Sequence, residues 1–330
     1  MRLGIVIEET WRFFEEIYED LTLHHQTSLF RWRTLNIPIL TTRINRYMFN
    51  SGMQSFFRQN DVVFFEWASG YLAAASQLRK QSGIVVRLHR YEMYQWVDEI
   101  DWEKIDKIIL VSQAKKREFA DRFPKQAEKI VVIPEAVDVN RFHPQNKIFN
   151  GNIGILCDLT PRKRVYDLIL CFYELSKFRD GFHLHIGGGE HELFPDYYLA
   201  IESLIRKLNL QDNVTLYSNV TQPEDWYQDI DIFISNSYSE GLQVAPMEAM
   251  ASGCYCLSHH WEGANELLPE ENLYYSSNEL IEKILCFSDA PESEKRAQKA
   301  QMRSLIMERF DINQTKVQIR NVLEEIGGNQ

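Results

Sequence analysis

The sequence predicts an α/β protein made of two doubly wound domains, each built on a parallel sheet. Short β-type runs alternate with amphipathic segments of helical length from one end of the chain to the other, a pattern typical of βαβ units. The alternation breaks once near the middle and then restarts. With 330 residues, of which 45% are hydrophobic, the chain has enough material for two separate cores.

Five strands are predicted in the first half, each as a short run rich in Val, Ile, Leu or Phe. They are residues 3–7, 61–65, 84–88, 107–111 and 130–133. Ser112 stands at the N-cap position of a charged amphipathic segment, which indicates a helix directly after the fourth strand. We expect helices between the other strands as well.

The pattern breaks between Pro134 and Pro144, where neither the helical nor the strand period continues. We therefore predict an N-terminal domain of residues 1–140 and a C-terminal domain of residues 141–330.

The alternation restarts after this break and predicts a second doubly wound sheet. The predicted strands are 153–157, 182–186, 214–217, 230–235 and 255–258, and the helices between them are 165–178, 197–208 and 246–251. Two final helices, 292–309 and 313–326, have no strand after them, so we expect both to pack outside the second sheet. In such sheets ligands bind beyond the carboxyl ends of the strands.

Composition excludes several classes of protein. The five cysteines all lie in the second half without CxxC spacing, which disfavours a disulfide framework or a structural zinc site. The apolar run 3–7 ends at Glu8 and is too short for a signal-peptide core. No run reaches the roughly 18 to 20 apolar residues of a membrane-spanning helix. We therefore expect a cytoplasmic protein.

The net charge of −11 is unevenly distributed. Up to residue 145 there are 20 Lys and Arg against 19 Asp and Glu, and after it there are 16 against 28. The halves thus differ electrostatically, as separate domains often do. The acidic total and the absence of a recognised binding motif disfavour nucleic acid as a partner.

Residues 21–60 contain no acidic side chain. Basic and aromatic residues are interspersed there, namely Arg31, Arg33, Arg43, Arg46, Arg58, Trp32, Tyr47, Phe49, Phe56 and Phe57. One interpretation is a surface for an anionic partner, either the inner face of the membrane as a peripheral contact or a lipid-linked acceptor. The other is that the aromatic side chains face the core while the arginines are solvated.

The most informative stretch is residues 237–253, which follows a predicted strand. It turns at Gly241 and enters a short helix whose start Pro246 indicates. A helix N-terminus presents unpaired N–H groups and partial positive charge, which suits a diphosphate. Glu248 in the first turn can accept hydrogen bonds from vicinal hydroxyls, and Glu240 precedes the turn. Each also has an ordinary interpretation, Glu248 as a complement to the helix dipole and Glu240 as a solvated loop residue.

The block from Glu240 to Glu248 resembles the E-x7-E motif of retaining GT-B glycosyltransferases of family 4, the glycosyl transferases group 1. Residues 133–144 resemble the interdomain segment of that family, and residues 261–266 resemble its Gly-Gly-Ala-x-Glu loop. The resemblance implies that Glu240 contacts the donor sugar and Glu248 the nucleotide ribose. The donor-binding residues it implies beside them are Gly241, Leu242, Gln243 and Val244.

The resemblance also implies a lysine that holds the donor diphosphate, and Lys163 is the matching residue. A compact ammonium group neutralises the charge that grows on the leaving diphosphate. Where the family usually has Gly-Arg, this chain has Cys157 and Asp158. We therefore expect Arg162 or Arg164 to replace the missing arginine; the other possibility is weakened donor binding.

Two more site residues follow from the resemblance. His89, at the end of the predicted strand 84–88, matches a histidine that the family often places near the transferred sugar, where it donates hydrogen bonds rather than acting as a nucleophile. Gly188 lies in a glycine-rich turn like the Gly-x-Gly turn of the family and is expected beside the nucleotide. Arg87 and Glu92 are expected to shape the acceptor pocket.

The loop after the first strand departs from the family pattern. Many members have a glycine-rich loop there, whereas residues 8–11 are bulky and acidic. Close approach of a phosphate to this backbone is not expected, so either the acceptor differs or the loop has another use.

The resemblance implies a retaining, metal-independent hexosyltransferase in which two Rossmann-like domains face a cleft, with His89, Lys163 and Glu240 as the catalytic residues. The donor is expected to be a UDP- or GDP-linked sugar, with no other cofactor, and the acceptor a hydroxyl of a glycan, a lipid-linked molecule or a small molecule. Two alternatives stay open: a catalytically weak GT-B protein that acts as a binding or assembly partner, and another GT-B enzyme such as a sugar-nucleotide epimerase.

Overall fold

The structure is a computed structural model that describes residues 1–12, 14–32, 41–145 and 147–328. The chain divides into two compact units. The first comprises Met1–Glu135 together with Asn313–Gln330, and the second comprises Ala136–Ile312.

The first unit contains a sheet of six parallel strands in the order β2-β1-β3-β4-β5-β6. The strands are β1 (Arg2–Val6), β2 (Gln26–Leu29), β3 (Val62–Phe65), β4 (Gly83–Leu88), β5 (Lys107–Leu110) and β6 (Ile130–Val132). All five strands predicted in this half are confirmed within one or two residues. The edge strand β2 was missed, because its sequence is polar and its side chains are only half-buried or exposed.

In the described part of residues 1–135, four helices accompany the sheet, α1 (Glu15–His24), α2 (Thr41–Gln59), α3 (Gly70–Ser76) and α4 (Gln113–Arg122). The predicted N-cap of α4 is confirmed, since the Ser112 hydroxyl accepts a hydrogen bond from the Lys115 N–H at 3.2 Å. The strands β3 and β4 are buried along their whole length, so their apolar side chains form the centre of the core.

The second unit contains another sheet of six parallel strands, in the order β12-β11-β10-β7-β8-β9. These are β7 (Asn152–Leu156), β8 (His183–Gly187), β9 (Val214–Leu216), β10 (Ile232–Ser235), β11 (Tyr255–His259) and β12 (Leu273–Tyr274). The first strand of the sheet, β7, lies between β8 and β10, so the strand order reverses at the β7–β10 pair. This is the topological switch point at which doubly wound sheets bind ligands.

Seven helices are found in the described residues of this unit. They are α5 (Val165–Phe178), α6 (Pro195–Lys207), α7 (Pro223–Trp226), α8 (Val244–Ala251), α9 (Ala264–Leu267), α10 (Ser277–Asp289) and α11 (Glu292–Arg309). The predicted fold class, an α/β protein with two parallel doubly wound sheets, is thereby confirmed. Among the described helices, none combines the length and the apolarity needed to cross a lipid bilayer.

The last helix, α12 (Ile312–Gly328), does not lie where the sequence predicted. From Asn313 onward it groups with the first unit rather than the second. Long-range ion pairs explain this placement: Arg320 contacts Asp20 at 3.0 Å and Lys316 contacts Glu16 at 3.5 Å. The break between the units likewise falls at residues 135–136 instead of the predicted 140–141.

Arg303 of α11 holds the start of the second unit against α8. Its guanidinium donates to the carbonyl oxygens of Val139 at 3.2 Å, of Phe142 at 3.0 Å and of Ala251. Ala251 is the last residue of α8, where carbonyl groups need partners from outside the helix. Arg303 therefore both caps α8 and fixes residues 139–142.

Candidate functional site

A narrow crevice lies at the switch point of the second sheet. Side chains that follow β7 and β10 line it, among them Cys157, Lys163, Ser237, Gln243 and Pro246, and its cavity volume is about 10 Å³. Sites for complete small-molecule ligands commonly measure roughly 300–1,000 Å³. The crevice therefore has the position expected of a ligand site but is largely occupied by the protein's own side chains.

One carboxylate oxygen contacts two of the side chains that line this crevice, Lys163 and Gln243. The Oε1 atom of Glu240 lies 2.8 Å from Nζ of Lys163 and 2.5 Å from Nη1 of Arg162. The same oxygen accepts a hydrogen bond from Nε2 of Gln243 at 2.9 Å. The structure thus brings together four of the predicted site residues, which the sequence separates by as much as 81 positions.

Glu240 is 7% exposed. Burial by itself would raise the pKa of this carboxyl, but the charges of Lys163 and Arg162 and their hydrogen bonds outweigh burial and lower it. Glu240 is therefore a carboxylate at neutral pH, and its charge is balanced by two cations in a site nearly closed to water.

Backbone contacts fix the two loops relative to each other. The Tyr238 N–H donates to the carbonyl oxygen of Arg162 at 3.3 Å, and Nη1 of Arg162 donates to the carbonyl oxygen of Ser239 at 2.9 Å. Lys163 closes a single 3-10 turn over residues Pro161–Lys163. This turn directs the two basic side chains to the loop after β10.

Arg164 is placed differently from its two neighbours. Its backbone adopts the left-handed conformation with φ 52°, and its side chain lies 3.5 Å from Asp167 of α5. Its carbonyl oxygen accepts a hydrogen bond from Asn236 at 2.9 Å. Of the two candidates for the missing arginine, only Arg162 is part of the ion cluster around Glu240 in the described contacts.

Glu248 is held by a residue that sequence reasoning missed. The hydroxyl of Tyr227 donates to Oε2 of Glu248 at 2.9 Å, and also lies 3.1 Å from the carbonyl oxygen of Ala245. Tyr227 is fully buried, and burial together with the Glu248 charge raises the pKa of its phenol well above 10, so it keeps its proton. The signal available beforehand was a tyrosine next to a buried strand, because a buried phenol needs a polar partner.

The helix α8 begins at Val244, two residues before the predicted start. Glu248 consequently lies in the second turn of the helix rather than the first. It is therefore farther from the unpaired N–H groups than the sequence predicted. Gly241 and Leu242 are buried in the turn before the helix, and Val244 is its first residue.

Gly188 has a conformational reason to be glycine. Its φ is +140°, and a Cβ atom there would lie 2.0 Å from the carbonyl oxygen of Cys157. The turn after β8 is therefore packed directly against the end of β7, beside the crevice. Burial raises the pKa of the Cys157 thiol to about 12, so this neighbour of Lys163 is uncharged.

In the first unit, His89 lies in a buried charge cluster. Its Nε2 is 3.1 Å from Oε1 of Glu66 and its Nδ1 is 2.9 Å from Oε1 of Glu135, so both ring nitrogens are engaged. Arg87 contacts the same two carboxylates, and the ring of Trp67 stacks on His89 at 4.1 Å between centroids. The structure thus shows His89 as a member of an internal network in this state.

Arg87 and Glu92, which were expected to shape an acceptor pocket, are internal. Arg87 is 1% exposed, and Glu92 is fully buried with Oε1 accepting from the Ala68 N–H at 3.1 Å. Burial raises the pKa of Glu92. Both side chains are therefore enclosed by the protein, and their part in shaping an acceptor pocket stays a prediction.

The acidic loop after β1 has a structural use. Oε2 of Glu8 accepts a hydrogen bond from the Tyr71 N–H at 2.9 Å, in the first turn of α3. Glu9 accepts a hydrogen bond from the hydroxyl of Tyr91. The carboxylate of Glu8 thus satisfies an N–H group at the helix end, which explains an acidic residue there.

Within residues 21–60, the aromatic and basic side chains divide between the core and the surface. Phe49, Phe56 and Phe57 are buried in the core, as the ordinary interpretation predicts. On the opposite side of α2, Tyr47 is 75% exposed beside the exposed Arg46. Arg33 lies outside the described residues.

No metal centre is found in the part of the chain that the structure describes. There, no group of three or more His, Cys, Asp or Glu side chains is arranged to hold a metal ion.

Comparison with known proteins places this site in a family context. Residues 150–289 match the family model described as glycosyl transferases group 1. A curated relative, poly(ribitol-phosphate) α-N-acetylglucosaminyltransferase of Staphylococcus aureus (strain COL), is 26% identical over 45% of this chain and 29% of its own length. A subunit of the phosphatidylinositol N-acetylglucosaminyltransferase of Arabidopsis thaliana is 25% identical over 51% of this chain and 37% of its own length. The chain therefore matches well under half the length of these two relatives.

Among solved structures, Alr3699/HepE of Anabaena in complex with UDP-glucose superimposes with a TM-score of 0.80 at 18% identity, over 98% of this chain and 99% of that one. At this identity the likeness establishes the fold. The family match includes residues 240–248 and 261–266 and confirms the resemblance inferred from them, whereas residues 133–144 lie outside the matched range.

The charge cluster of the first unit makes its stability depend on pH. Burial would lower the pKa of His89, but the Glu135 charge and the hydrogen bonds to Glu135 and Glu66 raise it from 6.5 to about 9. The stabilisation by the charged ring is complete below about pH 6.5 and is lost as the pH rises through about 9. His89→Gln should therefore lower the free energy of unfolding, measured by urea denaturation, more at about pH 6 than at about pH 10.

As a control, His24→Gln removes a half-exposed histidine of the same unit and should leave this pH dependence in place. An equal loss of stability at both pH values in His89→Gln would contradict the prediction.

Proposed function

We infer from residues 150–289, which match the family model of the glycosyl transferases group 1, that this chain transfers a sugar from a nucleotide diphosphate sugar to a hydroxyl acceptor. The observation that supports this most directly is the convergence of Lys163, Arg162 and Glu240 at the switch point of the second sheet. Two cations suit a diphosphate, and a carboxylate suits the hydroxyls of a sugar.

The chemistry follows from where charge develops. As the bond between the sugar and the diphosphate breaks, negative charge grows on the leaving phosphate oxygen, and Lys163 and Arg162 stabilise it in a nearly dry site. These two fixed cations can do the work that a metal ion does elsewhere. We therefore propose a metal-independent reaction, and from the family resemblance one that retains the configuration of the sugar.

We propose a UDP-linked sugar as the donor. UDP-glucose is the ligand named for the Anabaena structure, and the two curated relatives are named N-acetylglucosaminyltransferases. In this chain Glu248, held by Tyr227, is the proposed partner of the ribose hydroxyls. The proposed acceptor is a hydroxyl of a phosphate-bearing lipid or polymer, since the names of the relatives specify poly(ribitol-phosphate) and phosphatidylinositol.

The proposal is tested by donor turnover. Purified protein incubated with UDP-, GDP- and ADP-linked hexoses and N-acetylhexosamines should release the free nucleotide slowly from a UDP-sugar, because water replaces a missing acceptor. Nucleotide release is measured by chromatography. Protein that neither binds nor hydrolyses any member of this panel would overturn the proposal.

One observation favours the alternative of a catalytically weak partner protein. Asp158, exposed at the end of β7, stands where the family usually has an arginine, so the site has lost one cation and gained one anion. Binding of UDP without transfer or hydrolysis of any UDP-sugar would support this alternative.

Arg162 is the proposed replacement for the missing arginine. Loss of one charge-assisted hydrogen bond to a phosphate should lower kcat/KM for the donor by roughly 10- to 100-fold in Arg162→Ala. Arg164→Ala should change it by less than about threefold, because the Arg164 side chain lies against Asp167. Steady-state kinetics of the two variants decides this, and equal effects would count against the assignment.

We also propose that the chain binds anionic membranes peripherally through α2. This helix has no acidic residue, and its exposed positions include Arg43, Arg46 and Tyr47. Arginine attracts anionic head groups, and a tyrosine ring suits the interface between water and lipid.

Sedimentation with vesicles measures this contact. At low salt the protein should sediment with phosphatidylglycerol-containing vesicles and not with pure phosphatidylcholine vesicles. The double variant R43E/R46E should lose this binding, while R117E/K125E, with the same charge change at exposed positions of the first unit, should keep it. An equal loss of vesicle binding in both double variants would show that net charge, and not α2, determines the binding.

A further inference from the structure

Two cations of the ion cluster at the switch point share one carboxylate oxygen. Lys163 and Arg162 both contact Oε1 of Glu240, and Gln243 donates to the same atom. The side chains of Lys163 and Glu240 are 14% and 9% exposed, so neither group exchanges freely with water. In this state the carboxylate engages the Lys163 ammonium group and Nη1 of Arg162, two of the groups that a diphosphate would use.

A diphosphate and the Glu240 carboxylate are therefore competitors. Phosphate oxygens and carboxylate oxygens bind ammonium and guanidinium groups with the same charge-assisted geometry. Because the crevice has a cavity volume of only about 10 Å³, a nucleoside diphosphate has to displace a side chain to enter. The side chain whose bonds it can replace is that of Glu240.

We propose that Glu240 acts as an exchangeable latch: a nucleoside diphosphate takes over Lys163 and Arg162, and the released carboxylate then binds the hydroxyls of the transferred sugar. This inference rests on the proposed function and adds an order to it, in which the diphosphate engages first and creates the sugar site. Gln243 keeps a hydrogen bond to Glu240 and limits how far the carboxylate moves.

The latch predicts opposite effects of Glu240 on two ligands. For a diphosphate without a sugar, Glu240 is only a competitor, so its charge weakens binding. For the sugar donor, Glu240 is both a competitor and a partner. A residue that merely contacts the sugar would have no effect on binding of the free nucleotide.

The test measures the Kd of UDP by calorimetry for wild type and Glu240→Gln. The variant should bind UDP about 3- to 30-fold more tightly, because the competing charge is gone. It should bind uridine unchanged and should turn over the UDP-sugar more slowly. Glu282→Gln, the same charge change at an exposed position of α10, should bind UDP like wild type.

A double-mutant cycle sharpens the test. In wild type, Lys163 is shared with Glu240, so Lys163→Ala should weaken UDP binding less than the same change does in the Glu240→Gln background. The sign of this coupling is the direct signature of competition. An additive result overturns the latch.

Folding is followed by thermal unfolding of each variant. If Glu240→Gln does not fold, Glu240→Asp withdraws the carboxylate by one methylene group and should also bind UDP more tightly than wild type. If wild type binds UDP and turns over the donor but the variants bind UDP equally well or more weakly, the latch is wrong and the proposed function stands. Wild type and variants that all fail to bind UDP, GDP or ADP overturn the proposed function and the latch with it.

Discussion

Glu240 meets Lys163 and Arg162 only because β7 and β10 are neighbours in the second sheet. The strand order places the first strand of the sheet beside the fourth, and the loops that leave these two strands cannot cross to opposite edges. Lys163 therefore donates to a carboxylate oxygen of Glu240, a residue 77 positions later in the chain. The other features of the site, from the glycine at 188 to the start of α8, surround this pair of strand ends.

The first unit uses the same kind of strand end in another way. Arg87 and His89 at the end of β4 are neutralised by Glu66 after β3 and by Glu135 after β6. Removing one member would leave an uncompensated buried charge, which is costly. Charges here are internal and fixed, whereas those around Glu240 lie beside a crevice and can exchange partners. The two clusters are about equally buried, so what distinguishes the proposed binding site is its position beside the crevice at the switch point.

Sequence patterns predicted the strands because buried parallel strands are continuous apolar runs, as in residues 62–65. They failed where that signal is absent: β2 is polar and lies at an edge, and β12 has two residues. The position of α12 depends on pairs such as Arg320 with Asp20, 300 residues apart, which no local pattern encodes. The family resemblance indicated Glu240 and Lys163, whereas Tyr227 belongs to no motif, and its contact with Glu248 is evident only in the structure.

Asp158 adds a negative charge at the switch point, and an exchangeable Glu240 would offset its effect on diphosphate binding. Lys163 and Arg162 supply two positive charges, while Glu240 and the exposed Asp158 supply two negative ones, and the Cys157 thiol stays protonated. A diphosphate that entered with Glu240 still in place would meet a site of no net charge. Movement of Glu240 restores a positive site, and its new hydrogen bonds to a sugar offset the ion pairs that it gives up. In such a site a free nucleotide gains less binding free energy than a complete donor does. The sugar therefore contributes to binding as well as to the reaction.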